Sequence, residues 1–176
     1  MTQVLENTTT AATALRCKEC GERYPIAANH VCEECFGPLE VEYDFSGLDP
    51  VSLKAQIEAG PKNLWRYAPL LPAKPYDRSV QGVGFTPLQR AYNLGAELGL
   101  DELYVKNDAL NPTHSFKDRV VAIATAKAIE FGFDTIACAS TGNLAGAVAA
   151  AGTRAGLKTY VFVPSNIEPG KILQAS

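Results

Sequence analysis

The chain has 176 residues and a mass of 18.8 kDa, with 16 Lys and Arg against 19 Asp and Glu, a formal net charge of −3 and an isoelectric point near 5.4. That length suits one ordinary domain, or a small domain joined to part of a larger one, and is short for a complete two-domain enzyme. The acidic balance removes the global positive field on which a nucleic-acid binder relies, and no apolar run nears the ~18 residues of a membrane-spanning helix, so a soluble chain with neither nucleic acid nor membrane as partner is expected.

The first fifteen residues lack a basic start followed by an apolar core, so they do not read as a secretory signal; a cytoplasmic protein is expected, with residues 1–14 disordered. Residues 15–46 hold four of the five cysteines as two C-x2-C knuckles, Cys17/Cys20 and Cys32/Cys35, separated by eleven residues. Each knuckle can turn back on one ion, and Gly21 and Gly37 permit the tight backbone that such turns need. The pattern predicts a structural zinc site with four thiolate ligands, rubredoxin-type iron being the runner-up metal. Two disulfides or four unrelated thiols are the bland alternatives, and a reducing compartment disfavours the first. A closed all-cysteine site leaves no position for water or substrate, so its role is folding rather than catalysis. His30 lies between the knuckles and reads as a loop residue; Glu19, Glu22, Glu33, Glu34, Glu40 and Glu42 make the module acidic. Leu39 to Phe45 alternates as a strand of this zinc-ribbon-like unit.

Residues 47–84 carry Gly47, Pro50, Gly60, Pro61, Pro69, Pro72 and Pro75 and read as a connector, with a short amphipathic helix over Val51 to Glu58 and with Trp65 and Tyr67 anchoring the crossing. From residue 85 to 176 strand and helix signals alternate. Leu103–Lys106 is a short strand; Phe116–Phe131 has helical apolar spacing at Val120, Ile123, Ala124, Ala128 and Ile129; and Thr135–Ala139 is a buried strand. Leu144–Ala155 is an Ala-rich helix closed by Gly156, Lys158–Val163 is a further strand, and Gly170 to Ser176 begins another helix. Consecutive β-α-β units predict an α/β fold with a parallel sheet, whose ligands gather at the carboxyl ends of the strands.

Two loops there carry chemistry. In Asn111 to Arg119, Ser115 is a natural helix cap, so Lys117 falls in the first turn, where the positive end of the helix dipole disfavours a cation. A neutral amine at the ligand edge of a sheet suits Schiff-base formation with an aldehyde; a solvated lysine paired with Asp118 is the bland alternative. In Ala139 to Asn143, Gly142 with the Ser140 and Thr141 hydroxyls at a helix N-terminus forms a small anion site, unless those groups serve only to cap their own helix. Cys138 reads as an inert buried thiol.

Thr86-Pro87-Leu88, N-P-T-H-S-F-K-D-R at Asn111 to Arg119 and A-S-T-G-N at Ala139 to Asn143 together resemble the fold-type II pyridoxal-phosphate enzymes, and among them the threonine synthase family most. The Cys17-to-Cys35 module is similar to an extension found on one subset of these enzymes. The resemblance implies a tryptophan synthase β-like parallel sheet with helices on both faces. It implies that Lys117 holds pyridoxal 5'-phosphate and shuttles protons, that Asn143 bonds the cofactor's 3′-oxygen, and that Ser140, Thr141, Gly142 and Asn143 hold a substrate carboxylate. The implied reaction turns O-phosphohomoserine and water into threonine and phosphate, in a homodimer when full length. Asp118 and Arg119 are read as structural support for the lysine helix. His114, where many relatives carry Gly, and Leu144, where many carry Thr or Ser, depart from the pattern. The family's phosphate-cradling loop and its partner for the pyridine nitrogen fall beyond Ser176, so the chain is expected to be an N-terminal fragment, inactive alone. A threonine or serine dehydratase or a cysteine-synthase relative is the same-fold alternative, and a non-catalytic ribbon that recruits a partner is the alternative of another class.

Overall fold

A computed structural model describes residues 10–172. The N-terminal module is a three-stranded antiparallel sheet in the order β2-β1-β3, built from β1 (Ala12–Cys17), β2 (Arg23–Tyr24) and β3 (Leu39–Tyr43). The strand β1 starts inside the stretch expected to be disordered. Ala12 pairs with Tyr43, and the buried Ala11 donates its amide to the Pro69 carbonyl at 2.9 Å, which holds this end of the strand; residues 1–9 lie outside the described residues. Between residues 10 and 46 the buried positions are Ala11, Ala14, Cys17, Cys32 and Gly37, with no large aliphatic or aromatic side chain among them. The module therefore lacks an apolar core able to offset its chain entropy.

The helix α1 (Pro50–Ala59) opens with proline in its first turn and is capped by Asp49, whose carboxylate accepts from the Ser52 amide at 2.8 Å. None of its residues is buried, so it is not the amphipathic helix expected; Arg66 tethers it by donating to the Ile57 carbonyl at 2.7 Å. The stretch read as a connector behaves differently from a linker. Short 3-10 turns at Leu64–Leu70 and Asp77–Ser79 fold it into the main core, where Leu64, Trp65, Ala73, Tyr76, Val80 and Val83 meet Ala122, Ala126 and Ala155. Trp65 is 5% exposed, and its indole donates to the Tyr76 carbonyl at 3.2 Å, whereas Tyr67 is 39% exposed with the Arg66 guanidinium over its ring.

A two-stranded antiparallel sheet follows, pairing β4 (Leu88–Arg90) with β5 (Tyr104–Lys106) across α2 (Tyr92–Leu98). The sequence placed the segment ending at Lys106 in the parallel sheet; it pairs instead with β4, to which the short α2 excursion returns it. The parallel pair consists of β6 (Thr135–Ala139) and β7 (Lys158–Phe162), joined by α4 (Asn143–Ala155). The helix α3 (Lys117–Glu130) precedes β6, and α5 (Pro169–Ile172) is the start of the last expected helix, whose residues 173–176 lie outside the described residues.

Two small clusters join the helices to the sheet. Val121 of α3 meets Ala147, Val148 and Ala151 of α4 over Ile136 and Cys138, while Ala122 and Ala126 pack in the main core with Ala155, flanked by Ile129 and Leu157. α3 leads directly into β6 and α4 into the parallel β7, so both helices end at the amino ends of the strands and run in the same direction. Both lie on the face of β6 that carries Ile136 and Cys138. The opposite face, with Tyr160 and Phe162 55% and 64% exposed, is bare among the described residues. The buried stripe of α3 is Asp118, Val121, Ala122, Thr125 and Ala126 rather than the stripe that starts at Val120, which is 56% exposed. Gly152 lets α4 lie close on the sheet: a Cβ there would come within 2.0 Å of Thr159 Oγ1 and 2.9 Å of Ile136 Cδ1.

Candidate functional site

Parallel α3 and α4 bring their N-termini to one edge, at the carboxyl ends of β6 and β7. Lys117 is the first residue of α3 and Asn143 the first of α4, so the two residues singled out from separate loops open neighbouring helices at the same end of the sheet.

The loop before Lys117 is tightly built. Ser115 is 5% exposed, and its Oγ accepts from the Lys117 amide at 3.2 Å, so the serine caps the turn although Phe116 is the formal boundary residue. Asp118, 2% exposed, turns back on the loop and accepts from the Thr113 amide and hydroxyl, both at 2.9 Å, through Oδ2; its Oδ1 has no partner among the described residues. Asp118 is therefore engaged with Thr113 and does not neutralise Lys117, whose Nζ lies over the Phe116 ring, 4.5 Å from its centroid. His114 has φ of 57°, the left-handed region in which glycine is at ease and histidine is tolerated; this is a physical reason for a glycine preference at such a position. Its Nδ1 donates to the Ala109 carbonyl at 3.0 Å.

Behind the loop stands a network that sequence patterning does not reveal. Asp108 accepts from Arg119 twice, from Nη2 at 2.8 Å and from Nε at 3.2 Å, and from the Thr86 hydroxyl at 2.6 Å. The Arg119 Nη2 also donates to Thr86 Oγ1 at 3.1 Å, and Lys106 Nζ donates to the Thr86 carbonyl. These bonds, the Arg119 guanidinium first and the Thr86 hydroxyl second, hold the Asp108 carboxyl down at about 2. Asn111, 1% exposed, completes the support by accepting from the Gly84 amide at 3.0 Å and donating to the Asp108 carbonyl at 2.9 Å. Arg119 thus ties the first turn of α3 to residues 86 and 108, and Asn111 ties residue 108 to residue 84.

The second loop opens α4 with Gly142 in an extended conformation and no side chain capping the helix from that position. Ser140 Oγ accepts from the Gly142 amide at 3.3 Å, and nothing lies within 4 Å of a Cβ built on Gly142. An open cleft of about 440 Å3 is lined by Ala139, Ser140, Thr141, Phe162, Val163 and Pro164; Lys117 is not among its lining residues. Hydroxyls and a helix N-terminus beside open space suit an anion. A primary amine on the same edge adds a group that condenses with an aldehyde, so the donor set fits an aldehyde cofactor at Lys117 together with a carboxylate at the opening of α4. Cys138 lies in the strand, and burial pushes its thiol up, as befits an inert side chain.

The thiolates of the N-terminal module converge as their spacing predicts. The sulfurs of Cys17, Cys20, Cys32 and Cys35 lie within 4.8 Å of one another, with Cys17 and Cys35 3.5 Å apart and Cys20 and Cys32 3.6 Å apart. All four are free thiols, and tetrahedral Zn–S bonds of ~2.3 Å would set sulfurs roughly 3.8 Å apart, so the cluster can hold a metal ion. A Cβ on Gly37 would meet Cys17 Sγ at 2.9 Å, which reserves that position for glycine. His30 is exposed and stands outside the cluster. The Tyr24 hydroxyl, 3.1 Å from Cys32 Sγ, is the main reason that this thiol is held down at about 6.

Among the described residues no helix is long and apolar enough to cross a membrane. The family model of the pyridoxal-phosphate dependent enzymes matches residues 80–176, more than half of the chain. The chain is 39% identical over 163 residues to the threonine synthase of Methanosarcina acetivorans, covering 92% of this chain and 40% of that protein. It is 39% identical over 162 residues to the threonine synthase of Methanocaldococcus jannaschii, covering 91% and 40%, and 52% identical over 95 residues to that of Halalkalibacterium halodurans, covering 53% and 27%. The chain spans about two fifths of the length of the two archaeal relatives, and those matches extend across nearly all of it, cysteine module included.

Proposed function

The chain belongs to the pyridoxal-phosphate dependent enzymes, and from that premise we propose that it forms part of a threonine synthase, which converts O-phosphohomoserine and water into threonine and phosphate. The observation that carries this reading is the pairing of Lys117 and Asn143 as the opening residues of adjacent parallel helices, within a chain whose archaeal relatives bear that name. Pyridoxal phosphate, when bound, supplies the electron sink that lets protons leave the α and β carbons of an amino acid.

The residues of this chain divide the remaining work. Lys117 would hold the cofactor's aldehyde carbon through Nζ and would take and return protons at the substrate carbons. Asn143, the opening residue of α4, would bond the 3′-oxygen of the cofactor ring. Ser140, Thr141 and the amides around Gly142 take the substrate α-carboxylate at the N-terminus of α4. The Asp108, Thr86 and Arg119 network holds the lysine helix against the loop, so Nζ returns to one place after each proton transfer.

The four cysteines hold structural zinc, supported by their sulfur separations and by the absence of an apolar core in the module. The reading carries a small amino-acid phosphate as substrate, no nucleic-acid partner, a homodimeric assembly and a cytoplasmic setting. A protein carrying this chain, supplied with pyridoxal phosphate and O-phosphohomoserine, is expected to release phosphate and threonine in equal amounts. Oxoacid formation from threonine without phosphate release from O-phosphohomoserine would replace this reading with that of a dehydratase.

A further inference from the structure

The Tyr24 hydroxyl lies 3.1 Å from Cys32 Sγ and 3.0 Å from the Glu33 amide nitrogen. An amide can only donate, so the phenol oxygen accepts from Glu33 and keeps its own proton for the sulfur. A metal-bound thiolate carries no proton, which fixes the direction of that second bond: tyrosine donates and sulfur accepts. Cys32 is fully buried, which shields the bond from competing water.

The position of Tyr24 gives this bond its reach. It belongs to the two-residue strand β2, paired through Leu15↔Tyr24 and Arg16↔Arg23 to the strand that ends at Cys17. The Cys17 amide also donates to the Glu22 carbonyl at 2.8 Å. One side chain therefore spans from the strand of the first knuckle to both the ligand sulfur and the backbone of the second. We propose that Tyr24 is the positioning residue of the thiolate cluster: it orients Cys32 Sγ, orders the second knuckle through Glu33 and draws electron density from that one sulfur. The role rests on the reading that the four thiolates hold a divalent cation.

Cobalt(II) titration tests it, because the sulfur-to-cobalt charge-transfer band reports electron density on the thiolates directly. In Tyr24→Phe the band is expected to move to lower energy, and cobalt affinity to fall about tenfold or more, as when a hydrogen bond to a ligand is removed. Replacing Tyr24 by 3-fluorotyrosine keeps the hydroxyl and its packing but makes it a stronger donor, so the band should move to higher energy; this variant decides the matter should Tyr24→Phe fail to fold. Tyr43→Phe, which removes a phenol of the same sheet outside the cluster, serves as control and should leave the band in place. A band unmoved by either change at Tyr24 overturns the proposal even if affinity drops, because a merely structural tyrosine would behave so. A wild-type protein without a tetrahedral thiolate spectrum overturns the metal reading, and the role of Tyr24 with it.

Discussion

Asp108→Asn removes one charge from the network behind the lysine loop while keeping its shape. The aspartate is held at about 2 against an ordinary value of ~3.9, and each unit corresponds to ~1.4 kcal/mol of preference for the ionised form in the folded state. The Asp108 and Arg119 side chains remain 28% and 27% exposed, so solvent screening reduces the loss to roughly 1–2 kcal/mol at neutral pH. The sign follows from a depressed folded value. The contribution is fully present above the unfolded value of ~3.9 and disappears as pH falls through about 2. Urea unfolding of wild type and variant across that range should show a gap that is widest at neutral pH and closes towards the acid end. A gap of constant size would mean that the aspartate acts through shape alone; no gap would mean that the network does not stabilise the fold.

Two further changes probe the packing and the metal. Gly152→Ala adds a methyl 2.0 Å from Thr159 Oγ1 and 3.2 Å from Thr159 Cβ, so rotating the hydroxyl does not clear it. A helix-propensity gain of up to ~1 kcal/mol is outweighed by an overpacking cost of about 1–3 kcal/mol. Net destabilisation in thermal or urea melts is expected, partly recovered by adding Thr159→Ala, whereas a stabilised single variant would show that α4 and β7 are not held so close. Chelation, or Cys35→Ser, should abolish hydrogen-exchange protection in β1 and β3 while α4 keeps its own. Retained protection in the ribbon strands of a metal-free protein would show that the module folds unaided.

Local features made part of this fold legible. Thr135 to Phe162 is a contiguous βαβ unit whose helix ends at Gly156 in the left-handed conformation, so strand, helix and strand follow from patterning alone. Cysteine spacing likewise predicted the convergence of the four sulfurs. The misreadings have physical causes. The partner strand of β5 is Leu-Gln-Arg, three exposed residues with no alternation, so nothing marked an antiparallel pairing. The buried stripe of α3 contains Asp118 and Thr125, and a rule that seeks apolar residues selects a neighbouring face. Residues 47–84 are rich in Pro and Gly yet bury Trp65, Tyr76, Val80 and Val83, because 3-10 turns can place isolated side chains in a core without any periodicity. The Asp108, Thr86 and Arg119 contacts join residues up to 33 positions apart and carry no local signal.

Under the proposed function Lys117 is the residue that would take the cofactor. Incubating a protein that carries this chain with pyridoxal phosphate, reducing with borohydride and mapping the stable adduct by peptide mass spectrometry tests it most directly. A phosphopyridoxyl group is expected on the peptide containing Lys117 and absent from Lys117→Ala. An adduct spread over surface lysines such as Lys54 and Lys158, unchanged in amount by Lys117→Ala, would contradict it.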